Sequence, residues 1–440
     1  MKVSHTLDRI AVAFDDASLV ADAGLLLPIT LGQRVGLRQS LDKHVRLGRV
    51  AGAANPGQKA MTLIASILAG GDCIDDADAM RAGNTAAVLG HHPAAPSTLG
   101  TFLRAFTSGH ARQLDAVLED VLPRAWDAGA RPTEDTIKID LDSSILETYG
   151  LQKQGGSDFT YTHTRGYHPL FAVLAGGGDV IHARLRGGRA NSGRGAGSFT
   201  RQTLARLARA CTSGEVIVRA DSGFYNHHVV DACERHGVFF SVSVRLQRTH
   251  HDLIAAIQED AWQEIPYWLE GTAAVAETEY APFGRKRAYR LIVRRVEPTP
   301  GSQLALRGLA YRYFAFITDR EGAMIELEAD HRRHAEIENT IRDLKYGCGL
   351  NHMPSGKFGA NAAWLLLNVL AHNLGRWMTR LTDGVTGNLK SIRRRFLSIP
   401  ARMVRSGRRL SLRMPTRWPW ASEFTASLVK LRALPPNLPA

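Results

Sequence analysis

Two segments of the sequence alternate apolar and polar residues and then end on an aspartate. Residues 137–142 read IKIDLD and precede two serines, and residues 216–221 read VIVRAD and precede Ser-Gly. A period of two is typical of a β-strand that buries one face. Because active sites in open α/β sheets lie where strands end, Asp142 and Asp221 are candidate site residues.

A third acid lies on a helical segment, residues 331–345. Ile337, Ile341 and Leu344 recur at the spacing of a buried helical stripe, and Glu338 lies at its border. Three converging carboxylates repel one another unless cations lie between them, as in the two-metal sites that transfer phosphoryl groups. Hard oxygen ligands favour Mg²⁺ or Mn²⁺ over zinc, so we expect two such ions.

Two alternatives stay open for these acids. Asp140 shares a strand face with Asp142 and competes with it as the first acid, although the small residues after Asp142 favour the latter. An aspartate at a strand end, considered singly, is more often a turn or cap residue. The hypothesis of a metal site therefore depends on the three acids occurring together.

The remaining pattern divides the chain into five predicted regions. These are a helical N-terminal region (1–130), the first part of a core (131–249), a β-rich insertion (250–305), the remainder of the core with the Glu338 helix (306–380) and a basic segment (381–440). The core reads strand, hairpin, helix, strand, helix and strand. The predicted fold class is therefore α/β, a mixed sheet with helices against it, with an α-helical N-terminal domain.

The charge of the chain is concentrated near its end. The formal net charge is +13, and residues 381–440 contain twelve Lys and Arg residues but only two acids. Such a surplus favours a polyanionic partner, nucleic acid before an anionic membrane. The longest apolar stretch, residues 362–374, is shorter than the ~20 residues of a membrane span, so we expect a cytoplasmic protein with no membrane partner.

The acids occur in a pattern that resembles a known family. The helix keeps the spacing His331-x2-His334-x3-Glu338-x6-Lys345. This is similar to the Tyr-x2-Arg-x3-Glu-x6-Lys signature of bacterial insertion-sequence transposases of the DDE type, with histidines at the Tyr and Arg positions. Together with residues 361–364 (NAAW), the pattern looks most like insertion-sequence group 1380.

The resemblance implies an RNase H-like core and Mg²⁺-dependent, cut-and-paste DNA transposition. In such a reaction water first cuts at the end of the element, and the freed 3′-hydroxyl then attacks a second phosphodiester. Asp142, Asp221 and Glu338 would hold the two ions, and Lys345 would contact a phosphate near the scissile bond. Residues 1–130 would bind the element ends, and a homodimer is expected because two ends must be held together. The protein would act in the bacterial cytoplasm, on the nucleoid.

Basic residues in three places are the expected DNA contacts. They lie on the Glu338 helix, in an Arg/Gly loop near residue 190, and in the C-terminal segment, where arginines position phosphates without reading bases. The predicted residues are Lys345, Arg342, His331, His334, Arg186, Arg189, Arg408 and Arg409.

Two other functions are compatible with parts of this pattern. A non-catalytic, domesticated DNA-binding protein would keep the basic surface and tolerate loss of the acids, yet all three are present. A plain RNase H-like nuclease would share the metal chemistry but has no need of strand transfer. The sequence favours the transposase over both.

Overall fold

Nine strands of the described chain form one mixed sheet. The computed structural model describes residues 7–132, 135–210, 214–266, 268, 271–298 and 310–436. Its strands are β1 (Leu19–Val20), β2 (Ile137–Ser143), β3 (Leu146–Glu147), β4 (Gly166–Tyr167), β5 (Leu170–Leu174), β6 (Val180–Arg184), β7 (Val216–Ala220), β8 (Phe239–Ser243), β9 (Gln263–Glu264), β10 (Ala273–Tyr280), β11 (Tyr289–Val296), β12 (Arg312–Thr318), β13 (Ala401–Ser406) and β14 (Arg409–Arg413). The order in the sheet is β6-β5-β2-β7-β8-β12-β11-β10-β9, which confirms the predicted mixed sheet.

The two aspartate-bearing strands are neighbours in this sheet. Strands β2 and β7 pair in parallel, and Leu141 is opposite Ala220 in their register. β7 also pairs in parallel with β8, whereas β2–β5 and β5–β6 are antiparallel. Since parallel strands end at the same edge of a sheet, Asp142 and Asp221 come to lie side by side.

The helices flank this sheet and make up most of the chain before it. They are α1 (Leu26–Arg34), α2 (Leu37–His44), α3 (Pro56–Ala69), α4 (Thr85–Leu89), α5 (Pro96–Arg104), α6 (Ser108–Ala125), α7 (Ala196–Ala210), α8 (His227–His236), α9 (Arg248–Ala255), α10 (Met324–Arg332), α11 (Ile337–Arg342), α12 (Phe358–Leu381), α13 (Leu389–Ile392) and α14 (Ala421–Ala433). The described helices include none with the length and hydropathy of a membrane span.

Helix α12 is the central helix of the core. Nineteen of its 24 residues are buried, among them Trp364 and Trp377, and it packs against α3, α5, α6 and β6. A helix that is buried nearly all round must have apolar residues on every face. One of its buried polar residues, Asn373, is bonded inside the protein, since its side-chain amide pairs with the backbone of Val180 at 2.9 Å in both directions.

The β-rich segment that follows residue 250 continues the same sheet. Strand β11 pairs antiparallel with β12 and with β10, and β12 pairs antiparallel with β8. The sequence predicted a β-rich insertion here, and in the structure the segment supplies β9, β10 and β11 at one side of the sheet. Residues 267, 269–270 and 299–305 of this region lie outside the described residues.

The basic C-terminal segment is folded against the N-terminal helices. β13 pairs with β1, and α14 packs on α1. The guanidinium of Arg34 donates to the carbonyl of Arg432 at 2.7 Å. A Cβ on Gly24 would lie 1.7 Å from the carbonyl oxygen of Phe396, so only glycine permits this approach. The two ends of the chain therefore share one core.

This shared core gives a stability prediction. Phe396 is fully buried and lies near Trp420, with 6.5 Å between the ring centroids. Phe396→Ala should lower the free energy of unfolding by about 3–5 kcal/mol, measured by chemical denaturation, because a large cavity opens between the two ends of the chain. Leu410→Ala, at a side chain that is 60% exposed, is the control and should change it by less than about 0.5 kcal/mol. Equal small effects would contradict a shared core.

Candidate active site

Asp142, Asp221 and Glu338 line one pocket of about 260 Å³. Asp142 is the penultimate residue of strand β2, and Asp221 follows β7 directly and accepts a hydrogen bond from the backbone N–H of Gly223 at 3.0 Å. Glu338 is in the first turn of α11 and is exposed, while the two aspartates are half-buried. The buried stripe predicted for this helix is present, since Ile337, Ile341 and Leu344 are all buried.

The surroundings of the two aspartates in this pocket raise the pKa values of their carboxyl groups. Burial, together with the nearby carboxylates of Asp221 and Glu338, raises the pKa of Asp142 to about 6, against the lowering effects of the Ser143 N–H and of His334. Burial also raises the pKa of Asp221. The fold thus gathers negative charge where water cannot fully stabilise it, an arrangement that cations relieve.

Asp140, the alternative first acid, forms a buried ion pair instead of lining the pocket. It is 1% exposed, and both of its carboxylate oxygens accept hydrogen bonds from the guanidinium of Arg219, at 2.7 and 2.9 Å. It is absent from the residues that line the pocket of the three acids. The geometry therefore favours Asp142 as the first acid.

The two histidines of the helix signature occupy different surroundings. His334 lies in the pocket, with its Nε2 3.0 Å from the carbonyl oxygen of Leu141. His331 is half-buried and lines the same pocket, and its ring nitrogens lie 2.8 Å from the hydroxyls of Ser241 and Ser243 while its ring stacks on Phe316 at 4.1 Å. These contacts suit His331 to anchoring the helix rather than to reaching a phosphate.

The two basic residues after Glu338 also differ. Lys345 is half-buried; burial lowers the pKa of its ammonium, and the carboxylates of Glu147 and Asp142 raise it. It lines a second pocket of about 890 Å³ together with Tyr149 and Tyr346. Arg342 is exposed and donates to the side chain of Asn339 at 3.3 Å. Lys345 thus lies between the acids and the larger pocket.

The arginines predicted from the Arg/Gly loop and the C-terminal segment differ in exposure and in their contacts. Arg186 donates to the carbonyl oxygens of His168, Asn191 and Arg194, each at 2.8 Å, and burial lowers its pKa to about 10. It holds the loop together. Arg189 is 81% exposed and pairs with Asp158 at 3.3 Å. Arg408 and Arg409 are exposed where the chain turns from β13 into β14.

The opposite wall of the pocket was not predicted from the sequence. Arg294 of β11 lines it and pairs with the buried Glu328. Its guanidinium lies over the rings of Trp268 and Phe314, at 5.1 and 4.6 Å. The signal that could have located it is the placement of arginines among the apolar residues of this strand, residues 289–296 (YRLIVRRV).

The donor set around the pocket fits hard divalent cations. Tighter groups, with all donor atoms within 4.8 Å of one another, occur in the described residues only at His227, His228 and Asp231, and at Asp72, Cys73 and Asp76. In these groups Asp231 is already ion-paired with Arg285, and Asp76 accepts backbone N–H groups at 2.9 and 3.2 Å. Asp142, Asp221 and Glu338 do not form such a tight group, so what fits hard divalent cations here is the chemistry of their carboxylate oxygens.

A family model matches nearly the whole chain. The family model described as the transposase DDE domain, group 1, matches residues 4–436. No curated protein matches the sequence. Among solved structures, a piggyBac transposase synaptic complex with hairpin DNA is 10% identical, with a TM-score of 0.46 and coverage of 85% of this chain and 79% of that one.

The raised pKa of Asp142 gives a prediction for stability against pH. Its folded pKa of about 6 exceeds the unfolded value of about 3.9, so ionisation of Asp142 costs stability as the pH rises from about 4 to 6. Asp142→Asn should therefore be more stable than wild type at pH 7 in EDTA, by on the order of 1–3 kcal/mol, and equal to it near pH 4.

The measurement is the free energy of unfolding by denaturant at pH 4, 5, 6 and 7. Asp383→Asn is the control, because Asp383 is 86% exposed and its removal should leave the pH dependence unchanged. A loss of stability in Asp142→Asn at pH 7 would contradict the crowding of negative charge in this pocket.

Proposed function

Because the chain belongs to the transposase DDE domain group 1 family, we propose that it catalyses cut-and-paste transposition of a bacterial insertion sequence. It would hydrolyse a phosphodiester at each terminal inverted repeat and then transfer the freed strand to target DNA. The observation that carries the proposal is the pocket shared by Asp142, Asp221 and Glu338. The group 1380 assignment rests on the signature spacing and on residues 361–364.

In this proposal the three carboxylates hold two Mg²⁺ or Mn²⁺ ions. When bound, such ions activate the attacking oxygen and stabilise the leaving one. Asp142 is the first acid, because Asp140 is occupied by Arg219. Asp142 and Asp221 come from adjacent strand ends, which are rigid, and Glu338 comes from the facing helix, so the protein supplies ligands from two layers.

The five strands β6-β5-β2-β7-β8 would be the RNase H-like core. The parallel pairs β2–β7 and β7–β8 carry the aspartates, and the antiparallel pairs β2–β5 and β5–β6 complete one side. Helices α1 to α6 would form the domain that binds element ends. The three edge strands β9, β10 and β11 extend the core, and they bring Arg294 to the far wall of the pocket.

The remaining residues of the pocket would bind and orient DNA. Lys345, between the acids and the larger pocket, would contact the phosphate next to the scissile bond as a point charge. His334 would fix the end of β2 through the Leu141 carbonyl and face the same phosphate. Arg342, exposed on the same helix, would contact the backbone further along the duplex.

Double-stranded DNA would also contact the surface outside the pocket. Arg189 is exposed on its loop, Arg186 keeps that loop in shape, and Arg408 and Arg409 project from the β13–β14 turn. Because two element ends must be held together in one reaction, we propose that the protein is a homodimer in its DNA complex. It would act on the nucleoid, in the cytoplasm.

The test of the site is cleavage of element-end DNA in Mg²⁺. Asp221→Asn and Glu338→Gln should each lower the cleavage rate by roughly a thousandfold, since losing a ligand removes several kcal/mol of transition-state stabilisation. Both should bind DNA as tightly as wild type. Glu336→Gln, on the same helical path and exposed, is the matched control and should cleave normally.

The same assay separates the proposed function from its two alternatives. Wild-type cleavage without joining of the freed 3′ end to target DNA would indicate a plain nuclease. Tight DNA binding without cleavage would indicate a non-catalytic DNA-binding protein. Normal cleavage by either acid variant would rule out the proposed site.

The test of the C-terminal surface is the salt dependence of DNA binding. The double reversal Arg408→Glu/Arg409→Glu should weaken binding and reduce the slope of log K against log salt by about 1.8, the value for two lost phosphate contacts. Arg201→Glu/Arg235→Glu changes the charge equally on the exposed surfaces of α7 and α8 and should leave the slope unchanged. An unchanged slope in the first variant would remove the β13–β14 turn from the DNA interface.

A further inference from the structure

A buried arginine lies directly beneath the pocket of the acids. Arg219 is 1% exposed, and its Nε and Nη2 donate to the two carboxylate oxygens of Asp140 at 2.7 and 2.9 Å. Its Nη1 donates to the backbone carbonyl of Asp330 at 2.6 Å and lies 3.3 Å from the Asp330 carboxylate. The side chain of Arg219 thus connects its own strand, β7, with β2 and α10.

The sheet register places this contact one step below the acids. Asp140 is opposite Arg219 in the β2–β7 pair. Because side chains on the same face of a strand are two residues apart, Asp142 and Asp221 stand on the same face immediately beyond them. A change in the spacing or twist of the Asp140–Arg219 pair is therefore passed to the two acids above it.

The third acid is connected through Asp330. This residue is in the last turn of α10, on the helical path that leads eight residues later to Glu338. Its carboxylate also accepts hydrogen bonds from Lys138 at 2.7 Å and from Arg320 at 2.6 Å. The helix is thereby fastened to β2, β7 and the end of β12 by ionic contacts, in addition to its apolar stripe.

Stability alone does not explain why these buried residues are charged and not apolar. A buried ion pair loses the solvation of both charges, and well-packed apolar residues of similar volume are often as stable. What the cluster adds is geometry, since a bidentate guanidinium fixes both distance and orientation. Its two carboxylates and three cations also leave a net positive charge under the three acids.

We propose that Arg219 is the positioning residue of the acid pocket. Through Asp140 and Asp330 it sets the placement of Asp142, Asp221 and Glu338 relative to one another, and so sets the affinity of the pocket for divalent cations. The inference rests on the proposed function to the extent that cations occupy this pocket. It adds a role for the two buried charges that the reaction itself does not use.

The experiment measures Mn²⁺ binding to the full chain without DNA, from the electron paramagnetic resonance signal of free Mn²⁺, alongside unfolding by denaturant. Arg219→Met should weaken Mn²⁺ binding at least tenfold, and Arg219→Lys, which keeps the charge, should recover part of that loss. The double variant Asp140→Leu/Arg219→Met removes both buried charges and restores apolar packing, and it too should bind Mn²⁺ weakly while folded.

The control is a second buried ion pair that is remote from the acids. Asp115 of α6 pairs with Arg206 of α7 at 3.1 Å, with side chains 13% and 12% exposed. Asp115→Asn should lower the stability and leave Mn²⁺ binding within twofold of wild type. This separates a loss of position from a loss of stability.

The outcomes distinguish the inference from the function on which it rests. Asp142→Asn should abolish Mn²⁺ binding at the pocket; if it binds as wild type does, the metal site and the positioning role are both overturned. If Asp142→Asn loses binding but a folded Arg219→Met or the double variant binds like wild type, the positioning role alone is overturned and the proposed function stands.

Discussion

The parallel pairing of β2 with β7 is the constraint on which the rest of this site depends. It sets Leu141 opposite Ala220, and it therefore brings two aspartates from chain positions 79 residues apart into adjacent places. A one-residue change of register would move one of them to the opposite face of the sheet. The buried faces of both strands exclude that change. The apolar residues of each strand therefore determine where its aspartate lies.

The cost of this arrangement is electrostatic. The raised pKa of Asp142 means that burial and the neighbouring carboxylates disfavour its ionised form. Beneath them, Arg219, Lys138 and Arg320 supply positive charge at hydrogen-bonding distance from Asp140 and Asp330. The fold thus offsets the charge on the sheet side, and under the proposed function bound cations would offset it on the solvent side.

The sequence was a good guide to local features and a poor one to distant contacts. The period-two strands, the buried stripe of the Glu338 helix and the mixed sheet all follow from patterns within ten or twenty residues. The anchoring of His331 by Ser241 and Ser243, and the place of Arg294 in the pocket wall, depend on pairing between segments about 40 to 90 residues apart. Such contacts leave no periodic signal in either segment, so they could not be predicted from the sequence.

The distribution of charge has a further consequence for how a polyanion could approach. A DNA phosphate is repelled by the same carboxylates that would act on it, so a basic surface elsewhere has to bind the duplex first. The C-terminal segment carries such a surface, and it is folded against α1 and β1 rather than extended as a loose arm. Phosphates bound at the β13–β14 turn would therefore be held at a fixed distance from the acids, because the N-terminal helices connect both through the same core. Under the proposed function, the basic segment would therefore position the DNA as well as add affinity.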